Sequence, residues 1–225
     1  MLAKVQLAGP ATVRWYAKTS AGEVAADVPE LDRQIFRLLL ARCLAMVKAV
    51  RRAGATPLLY LDEPGMYALD RGDPRHLLVL QEMRLMVVAL QNEGALVGIH
   101  CCSDTDWSAL LDLGVNLISA DVRLSLDALL DSGPALSRFI DAGGVLSLGI
   151  IPTDLSASYR SDELVDAVDT SLRATFKDER TYREIASRSL LTPACGLAMR
   201  QVADAEHVFE ELRMAQRRFR ALAGA

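Results

Sequence analysis

Three observations predict an α/β fold with a parallel sheet. Short apolar strands alternate with longer helical patterns, one strand is apolar on both faces, and polar residues gather at strand ends. The alternation repeats about six times with no antiparallel hairpin signal. Repeated β-α order fits a doubly wound sheet or a closed barrel, and the strand ends decide between them. Asp62, His100 with Cys102, Asp121 and Cys195 all fall at C-terminal ends of strands. One rim of that kind is what a TIM (β/α)8-type barrel provides. A dinucleotide-binding sheet would need a glycine-rich fingerprint after its first strand, and Gly9-Pro10 is not one.

The elements follow in order. Val5 to Ala8 reads as a strand that runs into a loop at Gly9-Pro10. Glu30 to Ala53 predicts a long helix, because Ile35, Leu38, Leu39, Cys43, Met46, Val47 and Val50 recur at helical spacing, and Gly54 ends it. Cys43 belongs to that apolar stripe and is core. Pro57 to Leu61 is a continuous apolar run, the mark of a strand buried on both faces, and it ends in Asp62-Glu63-Pro64. A helix spans about Pro74 to Asn92 before Gly94. The run Ala95 to Ile99 is a strand that ends in His100-Cys101-Cys102, and a short helix covers about Asp106 to Leu113. Asn116 to Ala120 is a strand ending at Asp121, with helical segments at Leu124 to Leu130 and Pro134 to Ala142. Gly144 to Ile151 is a strand ending in Pro152-Thr153-Asp154. Helices follow at Glu163 to Phe176 and Thr181 to Ser187. Leu190-Leu191-Thr192 leads into Pro193-Ala194-Cys195-Gly196-Leu197, and Ala203 to Leu222 forms the last helix.

Length and charge limit the function classes. The 225 residues are 51% hydrophobic, enough for one large core, and with no linker in sight residues 1–225 read as a single domain. Net charge is −4 with acids and bases interspersed, which argues against a nucleic-acid surface. The basic run Arg213 to Arg220 fits the solvated face of a last helix, where positive charge suits the dipole. No apolar run approaches the roughly 18 residues that span a bilayer, so no membrane partner is expected. The start lacks a signal-peptide layout, and four cysteines make no secreted disulfide framework. The expected compartment is reducing and cytoplasmic.

His100 and Cys102 are separated by one residue. On an extended strand end the side-chain period is two, so both project the same way, and an imidazole beside a thiolate makes half of a zinc site. Cys195, at another strand end, is the natural complement. Cys101 points the opposite way and reads as packing, with a substitute-ligand role as its alternative. Trp107 reads as a helix-start residue packing over the loop, and His76 and His207 as surface residues on helices.

Five stretches carry a resemblance. Leu7-Ala-Gly9-Pro10-Ala-Thr12, Tyr60-Leu-Asp62-Glu63-Pro64, His100-Cys101-Cys102, Gly149-Ile-Ile-Pro-Thr153 and Thr192-Pro193-Ala-Cys195-Gly196-Leu197 occur in one order across nearly the whole chain. In that order the sequence resembles the catalytic C-terminal domain of the cobalamin-independent methionine synthase family, within the superfamily that includes uroporphyrinogen decarboxylase. The resemblance implies a zinc-dependent methyltransferase-like domain that activates a thiol, homocysteine, for methyl transfer in methionine synthesis. It implies zinc ligands at His100, Cys102 and Cys195, with Asp121 as a further carboxylate ligand where the family usually has Glu. Capping of the following helix is the other reading of Asp121. The resemblance also assigns Asp62 to the amino group of the amino-acid thiol, against a plain turn aspartate, as the catalytic and substrate-binding carboxylate. Glu63 is a substrate-side neighbour, and Glu63 and Asp104 are either partners that orient His100 or surface turns.

Two departures qualify what the resemblance implies. The family's histidine after the fifth strand seen here, suggested to protonate a folate leaving group, has no counterpart in Gly149 to Asp154, so the methyl donor is folate or a methylcorrinoid. The first match resembles the family's third strand, so the barrel is expected to be incomplete, with the first two strands missing. A homodimer covering the open edges is one expectation; alkyl transfer to another small thiol and a non-catalytic zinc-stabilised subunit are the alternative functions.

Overall fold

The computed structural model describes residues 1–154 and 159–224. Six strands form one sheet in chain order: β1 (Leu2–Ala8), β2 (Thr56–Asp62), β3 (Leu96–Cys101), β4 (Leu117–Asp121), β5 (Val145–Ile151) and β6 (Leu190–Pro193). β1 pairs parallel with β2, β2 with β3, and β5 with β6. Parallel neighbours need a crossover, and helices supply it between successive strands. The expected α/β class is present. The chain divides into two compact units, Met1–Ile118 and Ser119–Ala225.

In the first unit, α2 (Pro29–Arg52) and α3 (Pro74–Asn92) cover the back of β1 to β3. α2 starts on a proline, carries Glu30 and Asp32 in its first turn and Arg51 and Arg52 in its last, and so suits its own dipole. It buries Ile35, Leu39, Cys43 and Val47, one residue per turn, and burial pushes the Cys43 thiol up to about 11. α3 buries Val79, Met83, Met86, Val87 and Leu90. Against them lie Leu59, Leu61, Val97 and Ile99, all fully buried. Each such side chain contributes about 1.5–3 kcal/mol of transfer free energy.

The expected loop at Gly9-Pro10 is instead the start of a helix, α1 (Pro10–Tyr16). Proline at the first helical position has a preset φ and lacks only an N–H that no helix could use there. A 3-10 helix, Pro64–Ala68, likewise begins on a proline directly after β2. Arg14 on α1 is almost fully buried, and it pairs with Asp32 at 2.7 Å and Glu82 at 2.5 Å. One buried cation thus ties α1 to α2 and α3, which is tolerable because both partners are carboxylates.

In the second unit, α5 (Val122–Leu130) and α6 (Pro134–Asp141) precede β5, α7 (Ser161–Thr175) and α8 (Glu179–Arg188) precede β6, and α9 (Val202–Ala223) closes the chain. α5 begins two residues earlier than its apolar pattern suggests, because Asp121 caps it. Arg173 on α7 organises the helices: it lies 3.9 Å over the Tyr182 ring, pairs with Asp169 and Glu179, and donates to the Leu222 carbonyl on α9 at 3.0 Å. The Tyr182 hydroxyl donates to the other Asp169 oxygen. Among the described residues no helix is long and apolar enough to cross a membrane.

Candidate metal centre

The candidate site starts at the C-terminal end of β2. Asp62 is its last residue, and its Oδ2 accepts a hydrogen bond from Gln6 Nε2 on β1 at 3.1 Å. His100 is the register partner of Asp62 on β3, so two strands bring a carboxylate and an imidazole side by side. The His100 carbonyl accepts from the Glu63 backbone N–H at 2.8 Å, which extends the β2–β3 ladder past the strand end.

Glu63, expected beside Asp62 as a substrate contact, lies fully buried beneath the first turn of α1. Its Oε1 accepts from the Ala11 N–H at 3.0 Å, and its Oε2 accepts from the Thr12 N–H and hydroxyl at 2.7 and 2.6 Å. Those amides have no partner within their own helix, so a carboxylate satisfies them. Burial pushes the Glu63 carboxyl up to about 7, against the pull of the Thr12 and Ala11 bonds. Gly9 makes room for it: a Cβ there would fall 2.2 Å from Oε1.

After β3 the chain turns sharply. Cys101 is fully buried with its Sγ 3.2 Å from Ser103 Oγ, and burial pushes its thiol up. The packing role expected of Cys101 matches this position. Cys102, half-buried, follows on the other side. Ser103 and Thr105 donate to the Pro64 and Met66 carbonyls at 3.0 Å each, anchoring the turn to the 3-10 helix. Asp106 caps α4 (Trp107–Leu111) at the Ala109 N–H, pairs with Arg71 at 3.0 Å, and leaves Trp107 buried. Asp104 is exposed.

Cys195 lies just beyond β6, exposed, on a segment held by the Ala194 N–H donating to the Ile151 carbonyl at 2.8 Å. One candidate metal-holding group occurs among the described residues: the ligand atoms of His100, Cys102 and Cys195 all lie within 4.8 Å of one another. Three ligands of a tetrahedral zinc sit about 3.5–3.8 Å apart. Two sulfurs and one imidazole suit zinc; His100 and Cys102 are half-buried and Cys195 is exposed.

Asp121 is not a member of that group. Its Oδ1 accepts from the Arg123 N–H at 2.9 Å, capping α5. Burial pushes its carboxyl up, the Arg123 contacts oppose this, and nearby Cys195 adds to the rise. After β5, Asp154 pairs with Arg123 at 2.8 Å.

Sequence reasoning missed Gln6 and its bond to Asp62. The signal was there: in Lys4-Val5-Gln6-Leu7 polar and apolar residues alternate, as on a half-covered strand. No protein-family model matches this chain, and no curated protein matches it significantly.

Proposed function

We propose that this chain is a zinc-dependent methyltransferase-like domain built on a TIM-type barrel sheet, activating a small thiol, homocysteine, for methyl transfer. The observation that carries the proposal is the His100, Cys102 and Cys195 group with ligand atoms within 4.8 Å, of which His100 is the β2–β3 register partner of Asp62. A zinc ion held there would lower the pKa of a substrate thiol, so that a thiolate is available at neutral pH. The thiol proton leaves, the sulfur forms a bond to the methyl carbon, and the carbon's bond to its donor breaks.

The protein's own residues do the positioning. His100 and Cys102 sit on a strand end whose turn is fastened by Ser103 and Thr105, so their geometry is set before substrate arrives. Asp62 receives the ammonium of the amino-acid thiol, as a strand-end carboxylate can. Asp121 caps α5 and lies near enough to Cys195 to feel its charge, as a carboxylate neighbour of the site.

The test is methionine formation. Zinc-loaded protein given L-homocysteine with methylcobalamin or a methyltetrahydrofolate should yield methionine with at least one donor, and the Cys102→Ala protein should yield none. Absence of product with both donors, together with no effect of homocysteine on the visible spectrum of cobalt(II)-substituted protein, would overturn the proposal.

A further inference from the structure

Lys4, Gln6, Tyr60, Asp62, Gly98 and His100 share one face of β1 to β3. Side chains two residues apart on a strand project together, which joins Lys4 to Gln6, Tyr60 to Asp62, and Gly98 to His100. The Gln6–Asp62 hydrogen bond and the Asp62–His100 register then place the three strands' sets on the same side. The face is built around the Tyr60 ring. Gly98 admits that ring, since a Cβ there would meet it at 2.6 Å, and the Lys4 ammonium lies 4.8 Å from its centroid.

The charges on this face are ordered. Lys4 is opposite Leu58 in register, yet its ammonium reaches the ring of Tyr60, two residues further toward the strand's C-terminal end. Asp62 lies two residues beyond Tyr60. At about 3.3 Å per residue, Asp62 stands roughly 7 Å further along the strand than the residue whose ring holds the ammonium. Gln6, whose register partner is Tyr60, spans the interval and holds the Asp62 carboxylate from below. A free α-amino acid with a hydrogen bond of about 2.8 Å at its ammonium and another at its carboxylate covers a similar span.

We infer that Lys4 is a specificity-determining residue that receives the substrate's α-carboxylate, with Gln6 as the positioning residue that aims Asp62 at the ammonium. The site then selects a zwitterionic amino-acid thiol over a thiol lacking either charge. The inference rests on the thiol-activating function proposed above and adds the residue that reads the carboxylate. Lys4 is exposed on β1, so its replacement leaves the buried core intact. The ring beneath it stabilises the cation in place before substrate arrives.

The test uses cobalt(II)-substituted protein and three thiols, with binding read from the visible spectrum. L-homocysteine carries both groups, 3-mercaptopropylamine lacks the carboxylate, and 4-mercaptobutanoate lacks the amine. Wild type should favour L-homocysteine about tenfold over each. Lys4→Met should lose the preference over 3-mercaptopropylamine and keep that over 4-mercaptobutanoate, and Lys4→Arg should restore the former. Gln6→Leu should weaken only the preference that depends on the amine. A Lys4→Met protein with the wild-type preference over 3-mercaptopropylamine would overturn the assignment. If none of the three thiols alters the wild-type spectrum, the thiol-activating function itself fails.

Discussion

The two faces of β1 to β3 differ in chemistry although successive residues of the same strands alternate between them. The back face carries Leu59, Leu61, Val97 and Ile99, all fully buried against α2 and α3. The front face carries Lys4, Gln6, Tyr60, Asp62, Gly98 and His100, where a glycine makes room for a ring and polar groups meet across strands. Close packing on one side makes the strands rigid, and rigid strands keep the other side's polar groups in register. Stability and chemistry are thus separated by a single residue step along the chain.

Adjacent residues offer the sharpest way to break that comparison. Leu61→Ala should cost about 2–5 kcal/mol in urea unfolding, from lost transfer free energy and a cavity, while metal content per folded chain stays at wild type. Asp62→Asn should leave stability within about 0.5 kcal/mol and act only on binding of the amino-acid thiol. Equal destabilisation by both variants would mean that the front face is structural too.

Glu63 belongs to neither face, and its effect is expected to be intermediate. Its carboxyl stands at about 7 in the folded chain against 4.5 for an ordinary glutamate. A group whose folded pKa is raised contributes stability that is present in full below about pH 4.5 and is lost as pH rises through about 7. The loss is about 3 kcal/mol. Unfolding midpoints at pH 5 and pH 8 should therefore differ in wild type and converge in Glu63→Gln. The same drop in both proteins would remove Glu63 as its source. Among the buried positions the smallest loss of stability is expected for Cys101→Ala, about 1 kcal/mol with no change in metal affinity, because that thiol faces Ser103 and the core.

Much of this was legible in the sequence. The α/β class followed from periodicity, and α3 has the bounds its pattern suggested, Pro74–Asn92. The grouping of His100, Cys102 and Cys195 was foreshadowed by strand-end placement, because parallel strands deliver their C-terminal ends to one side. What was not legible depended on contacts distant in sequence. The helix at Pro10 is held by a carboxylate 53 positions on, at Glu63, and no local pattern reports such a partner. The Gln6–Asp62 bond, 56 residues apart, is of the same kind. Asp121 carried two readings because one strand-end carboxylate can cap a helix or approach a metal, and residue type alone does not choose between them.

The most direct test is metal content with thiol titration on the purified, reduced chain, comparing wild type with Cys195→Ser. One zinc per wild-type chain is expected, with Cys102 and Cys195 protected from thiol reagents, and a loss of metal affinity of at least about 100-fold in the variant. Wild-type protein that binds no zinc when zinc is supplied under reducing conditions, or a variant that binds it equally well, would contradict the account.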